Sequence, residues 1–164
     1  MSSTTESDPR QRKQRAVVLI LLAILLISAS VFFGNHKDAD IIVVTLPSGN
    51  QIEAEVADTP EKLLFGLAFR EELPEGSGML YIFEASGPHR VRTKGYRIPV
   101  DMIWVDEYRH IVHLVEHAEP CAEDPCPFYG PPPEHARYIL QATAGLIRRE
   151  HLQTGAELKF ALRL

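Results

Sequence analysis

The chain has two cysteines, Cys121 and Cys126, and both lie in the proline-rich stretch PCAEDPCPFYGPPP. A separation of five positions lets a turn bring the two Cα atoms within the ~4.4–6.8 Å that a disulfide requires. The prolines around them exclude a regular helix or ladder here, so a covalent bridge would give the loop its shape. We therefore predict a disulfide, provided that the domain lies in an oxidising compartment.

Two other uses of the cysteine pair stay open. A zinc site could recruit His117 and His135, although C-x4-C is at the wide end of the spacing seen in zinc sites. A redox-active pair would more typically be C-x-x-C at a helix N-terminus, and neither feature is present. We predict neither a metal nor a cofactor.

The stretch HRVRTKGYR contains a cationic series. If this stretch is extended, Arg90, Arg92 and Lys94 point to one side, because side chains alternate along a strand. Such a stripe could hold a phosphate, a carboxylate or a lipid headgroup. The alternative is a solvated edge whose charges guard against aggregation.

Arg70, Asp101 and Tyr129 are further candidates for a ligand site. A charged residue among apolar neighbours is more often a structural partner that hydrogen-bonds a turn or another charge. An enzyme site could instead combine Arg70, Lys94 and Asp101 with the loop over residues 121–129. The sequence contains no G-x-S-x-G motif, phosphate loop, dinucleotide glycine motif or calcium loop.

The segment HLVEH, residues 113–117, matches the H-x-x-E-H pattern of one class of zinc proteases. That chemistry requires a helix, on which residues four apart share one face. The β-branched surroundings indicate a strand, on which these histidines would lie about 13 Å apart. We therefore expect strand histidines and no zinc site.

The N-terminal third indicates the compartment. Residues 16–34 carry no charge and are long enough to cross a bilayer as a helix. The polar tail, residues 1–15, ends in four basic residues, which predicts a cytoplasmic N-terminus. We predict a single-pass signal-anchor in the inner (cytoplasmic) membrane, a linker over 35–40 and an extracytoplasmic domain over 41–164. The alternative is cleavage of a signal peptide, which would leave a secreted or periplasmic domain.

The net charge of the domain limits the kinds of molecule that it can bind. The tail holds four of the 17 Lys and Arg residues and two of the 22 Asp and Glu residues, so the rest of the chain carries a net charge of −7. A domain this acidic is a poor nonspecific binder of nucleic acid. We therefore predict no nucleic-acid partner, and the sequence identifies no protein partner.

The remaining pattern predicts a mainly β domain. Two hairpins are expected, with turns at 47–50 and 106–109, and further strands at 79–83 and 136–142. Thr59 or Asp58 can cap a short helix that Gly66 ends, and AGLIRREHL predicts a second short helix or turn. The final run, AELKFALRL, alternates as a strand does. Together these elements favour a compact β-sandwich or barrel-like domain.

A series of blocks stands in order along the chain: VADTPEKLLFGLAFREELPEGSGMLYIF, IPVDMIWVD, PCAEDPCPFY, ARYILQATAG and TGAELKF. This series resembles the bacterial and archaeal family called domain of unknown function 192. The resemblance implies a compact β-sandwich-like domain, often exported, without an established activity. The chain departs from the family's usual pattern at Ala68 (usually Met), at Gln141 (usually Glu) and in RTKGY, where only Lys94 is kept.

These observations favour a non-catalytic, membrane-anchored domain that faces the cell envelope. Its ligand would be a small molecule, a glycan or a partner protein, and an anionic headgroup or small anionic ligand suits the cationic stripe. The alternative is an extracytoplasmic enzyme. Convergence of the polar candidates in one concave site would favour an enzyme or a specific binder.

Overall fold

The computed structural model describes residues 15, 18–22 and 40–162. The chain divides into two compact units, Met1–Asp38 and Ala39–Leu164. Residues 15 and 18–22 are helical, and no helix within the described ranges has the length and apolar character that a bilayer crossing requires. Most of the predicted anchor, residues 16–34, lies outside the described residues.

The second unit is built on one six-stranded sheet. Neighbouring strands follow the order β1-β2-β3-β6-β4-β5, and every pair is antiparallel except β2 with β3. The expectation of a mainly β domain with a few short helices is therefore confirmed. The strands are β1 (Ile41–Thr45), β2 (Gln51–Ala57), β3 (Ser77–Gly87), β4 (Val100–Val105), β5 (Ile111–Ala118) and β6 (Ala136–Thr143).

Both predicted hairpins are present, as β1 with β2 and as β4 with β5. In the second turn, the Asp106 carboxylate accepts hydrogen bonds from the backbone N–H of Tyr108 (2.9 Å) and of His110 (2.8 Å). Aspartate commonly stabilises turns in this way. HLVEH lies within β5, so its two histidines are strand residues, as expected.

The sheet is covered on both faces. In β4, Ile103 and Val105 pack into a first hydrophobic cluster, whereas Met102 and Trp104 pack into a second. Alternating residues therefore enter different clusters, and every residue of β4 is buried. An unbroken apolar run is the sequence pattern of such a fully buried strand.

Two short helices accompany the sheet. Helix α1 (Pro60–Phe65) begins after Thr59, whose hydroxyl accepts a hydrogen bond from the backbone N–H of Lys62 (3.3 Å), and Gly66 ends it. Helix α2 (Leu146–Arg149) buries Leu146 and Ile147 in the first cluster. By contrast, α1 buries none of its residues, which leaves its apolar side chains at the surface.

The C-terminal segment differs from the predicted final strand. Leu158 and Phe160 are buried, but the segment makes only isolated bridges, from Lys159 to Thr45 and from Glu157 to His110. A ladder cannot form because successive residues pair with two different elements. The segment therefore contacts β1 at Thr45 and the residue just before β5 at His110, and these are the two edge strands of the sheet.

Asp101 connects β4, β5 and α2 through hydrogen bonds. Its side chain is buried, and its two carboxylate oxygens accept backbone hydrogen bonds from His117 in β5 and from Ile147 in α2, each at 2.8 Å. Buried carboxylates require such donors, because an unpaired charge in the interior is costly. Asp101 therefore has the structural role that its apolar neighbours in the sequence suggested.

We expect Asp101→Asn to lower the free energy of unfolding by about 3 kcal/mol, because an amide offers only one acceptor oxygen to two backbone donors. Asp106→Asn is the matched control and should cost less than about 1 kcal/mol, since a single oxygen of Asp106 accepts both of its bonds. Urea denaturation followed by the fluorescence of Trp104, the single tryptophan, measures both changes. Equal losses in the two variants would contradict the two-oxygen role.

Candidate binding groove

The cationic stripe lies on an irregular segment between β3 and β4. Arg90, Arg92 and Lys94 are exposed, whereas Thr93 is fully buried and donates a hydrogen bond to the carbonyl of Glu119 (2.7 Å). The alternation predicted from the sequence is therefore present, and the three cations face the same groove. The buried threonine fixes the direction in which they point.

The cysteine loop runs beside this segment. Cys121 and Cys126 are joined as a disulfide, with Cα atoms 5.7 Å apart, as the sequence predicted. Val91 and Tyr129 exchange backbone hydrogen bonds of 3.1 and 2.9 Å, and Cys121 bridges to Lys94. Both ends of the loop are therefore fixed to the cationic segment. Between them, the disulfide joins residues 121 and 126 and so constrains the loop.

Two side chains of the loop contact the stripe directly. Asp124 forms an ion pair with Lys94, and the guanidinium of Arg92 lies over the ring of Phe128, 4.7 Å from its centroid. The hydrogen bond from Lys94 holds the pKa of Asp124 below its usual range, so the carboxylate is charged at neutral pH. The loop thus offers one apolar and one anionic partner to the cations.

Residues at and after α1 form the apolar wall of the groove. Leu64 (75% exposed), Phe65 (52%) and Phe69 (65%) line it together with Phe128 (57%). Phe69 has a φ of 66°, a value that is uncommon for a bulky side chain. Its backbone N–H donates to the carbonyl of Gly95 (2.8 Å), which connects the apolar wall to the cationic segment.

Two tyrosines form the floor. The hydroxyls of Tyr81 and Tyr96 lie 3.1 Å apart, and Tyr96 donates to the side-chain oxygen of Gln141 at 2.8 Å. Burial, with Tyr96 nearby, raises the pKa of Tyr81 far above its usual range, so its hydroxyl stays protonated. Gly66 is required here, because a Cβ at this position would lie 1.6 Å from the Tyr81 oxygen.

The groove encloses about 580 Å³, a volume typical of small-molecule sites. Its lining combines exposed aromatic rings with three cations, and no lining residue among those that the structure describes is a carboxylate, histidine, serine or thiol. Such a surface can bind apolar and anionic groups.

The other predicted site residues lie elsewhere. Arg70 is paired with Glu55 of β2, Asp101 is buried at the start of α2, and Tyr129 packs against the second hydrophobic cluster. None of the three lines the groove. The structure therefore brings Lys94 and the disulfide loop together but does not add Arg70 or Asp101 to them.

The two histidines of HLVEH contact neighbouring side chains of the domain. The ring of His113 packs edge-on against Trp104, with centroids 5.2 Å apart, and His117 lies 3.3 Å from the Glu119 carboxylate. Over residues 15, 18–22 and 40–162, no group of three or more histidine, cysteine, aspartate or glutamate side chains could hold a metal ion.

The apolar wall was not predicted from the sequence. The stretch EKLLFGLAF contains more apolar residues than a helix of two turns can bury, and this excess was the available signal. What it could not indicate is the partner, because Phe65 and Phe128 are brought to one groove only by the fold.

Solved structures resemble this fold. A protein of Sinorhizobium meliloti 1021, described as a candidate transcription regulator, superimposes with a TM-score of 0.70 at 25% identity, covering 77% of this chain and 98% of its own. A protein of unknown function from Novosphingobium aromaticivorans DSM 12444 gives a TM-score of 0.65 at 24% identity, covering 74% and 84%. Almost the whole of the first chain superimposes on this one, so the fold forms in a protein that consists of little else.

The family comparison agrees with the order of blocks in the sequence. No curated protein matches the chain. The family model of domain of unknown function 192 (DUF192), described as Uncharacterized ACR, matches residues 43–160, which include most of β1, all of β2 to β6 and the whole groove. The chain therefore belongs to the DUF192 family.

Proposed function

We propose that this chain is a non-catalytic binding module, anchored in the cytoplasmic membrane and facing the cell envelope, that holds a small molecule in the groove. The observation that carries the proposal is the apolar wall. Four large apolar side chains, each more than half exposed, line one recess of about 580 Å³. Contiguous exposed apolar surface of this kind marks a binding site in soluble domains.

The composition of the groove favours binding over catalysis. Lys94 is already paired with Asp124. Burial raises the pKa of Tyr81, so its hydroxyl is not poised to give up a proton at neutral pH. An enzyme site was expected to include Arg70 and Asp101 as well. Arg70 instead pairs with Glu55, and Asp101 accepts a backbone hydrogen bond from Ile147. These features support a site that recognises a ligand without changing it.

The apolar wall can be tested with N-phenyl-1-naphthylamine, a neutral dye that fluoresces in apolar sites. We expect saturable binding at one site of the fragment Ala39–Leu164. The double variant Phe65→Ala/Phe128→Ala should bind at least about tenfold more weakly, because two exposed rings lose their contact with the dye.

Tyr108→Ala is the matched control. Tyr108 is 71% exposed at the tip of the β4–β5 turn and does not line the groove, so its loss should leave dye binding unchanged. Equal binding by the wild-type fragment and the double variant, with native circular dichroism in both, would refute a ligand site in this groove.

The membrane anchor has its own test. Residues 16–34 are uncharged and follow four basic residues, so we expect the full-length chain to stay in the membrane pellet after carbonate washing, at its uncleaved mass. Leu22→Arg/Leu26→Arg should release it, since each central arginine costs about 2.5–3.5 kcal/mol of insertion free energy. A soluble species that begins near Val31 would show instead that the segment is a cleaved signal peptide.

A further inference from the structure

Asp124 does not line the groove, but its carboxylate pairs with Lys94, which does. Asp124 reaches back from the disulfide loop to Lys94, thirty positions earlier in the chain, and both side chains are about half exposed. An exposed pair of this kind contributes little to stability. A competing anion can therefore replace Asp124 at Lys94 with only a small loss of free energy.

We infer that the ligand of this groove is an amphipathic anion, a small molecule with an apolar body and one anionic group, and that Asp124 occupies the position of its anionic group when the groove is empty. This inference rests on the proposed function. It adds the chemical class of the ligand and a self-blocking contact that the ligand displaces.

The positions of the other two cations support this assignment. Over the part of the chain that the structure describes, neither Arg90 nor Arg92 forms an ion pair, although both line the groove. Arg92 instead lies over Phe128, at the boundary of the apolar wall. A ligand whose body contacts Phe128 would therefore bring its anionic group close to Arg92 and Lys94.

The charge of the whole domain favours a free molecule over a membrane surface. The residues after the N-terminal tail carry a net charge of −7, which repels an extended anionic surface. A small anion experiences mainly the nearest charges, because salt screens the others beyond about 10 Å. The concave shape of the groove also suits a compact ligand better than a flat bilayer.

Two dyes with one apolar body test the inference on the fragment Ala39–Leu164. 1-Anilinonaphthalene-8-sulfonate carries a sulfonate that N-phenyl-1-naphthylamine lacks. We expect Asp124→Asn to raise the affinity for the sulfonate dye roughly two- to fivefold, as an exposed ion pair of up to about 1 kcal/mol allows. Lys94→Gln should lower the affinity for the sulfonate dye by a larger factor than the affinity for the neutral dye, and Asp124→Asn should leave binding of the neutral dye unaffected.

Glu123→Gln is the control, because it removes the same charge from the neighbouring position of the loop and should change neither affinity. If Asp124→Asn leaves sulfonate-dye binding unchanged while the neutral dye still binds, the self-blocking contact is refuted and the groove remains a binding site. If the neutral dye also fails to bind, the proposed function itself falls.

Vesicle co-sedimentation separates the two sources of an anionic group. We expect Asp124→Asn to leave binding to phosphatidylglycerol and phosphatidylcholine vesicles equally weak. Stronger binding of this variant to phosphatidylglycerol vesicles alone, without a gain for the sulfonate dye, would overturn the inference in favour of a lipid headgroup.

Discussion

The groove depends on the backbone pairing between the cationic segment and the disulfide loop. Neither segment is a strand of the main sheet, so neither has a ladder of its own. Val91 is paired with Tyr129, and the carbonyl of Thr93 accepts from Cys121, whose own carbonyl accepts from Gly95 (2.9 Å). These bonds place Phe128 beside Arg92 and Asp124 beside Lys94. Without them the cations would project from an unsupported loop.

The groove does not have to stabilise the domain, because the sheet and its two hydrophobic clusters do so. The two faces of the sheet carry separate hydrophobic clusters, and Asp101 fastens β4 to β5 and α2. Helix α1 therefore need not bury any residue, and its apolar side chains are free to form the wall of the groove. Gly66 connects these roles, because only a residue without a Cβ lets the chain leave α1 directly over Tyr81.

Local signals made much of the fold predictable from the sequence. The hairpins follow from alternating residues around turns, and the cap at Thr59 follows from a hydroxyl three residues before its donor. The spacing of the cysteines and the prolines around them allowed a disulfide, and the expected compartment completed that prediction. The alternation of Arg90, Arg92 and Lys94 also followed from local geometry. Each of these features depends on residues that are close in the sequence.

The features that were not predictable depend on contacts between distant residues. Phe65 and Phe128 meet in one groove only because the stripe bridges their two segments. The final segment was expected to be a strand, but Lys159 and Glu157 pair with opposite edges of the sheet. The sequence favoured a structural role for Arg70 but could not identify its partner, which is Glu55 of β2. Periodicity carries no information about such pairings.

The position of the ligand can be seen directly in a crystal structure of the fragment Ala39–Leu164 with bound 1-anilinonaphthalene-8-sulfonate. We expect the naphthalene ring to lie against Phe65 or Phe128. We expect the sulfonate within hydrogen-bond distance of Lys94 Nζ and the Asp124 carboxylate moved away from it. A dye bound outside the groove, with the Lys94–Asp124 pair intact, would show that the groove is not the site of an amphipathic anion.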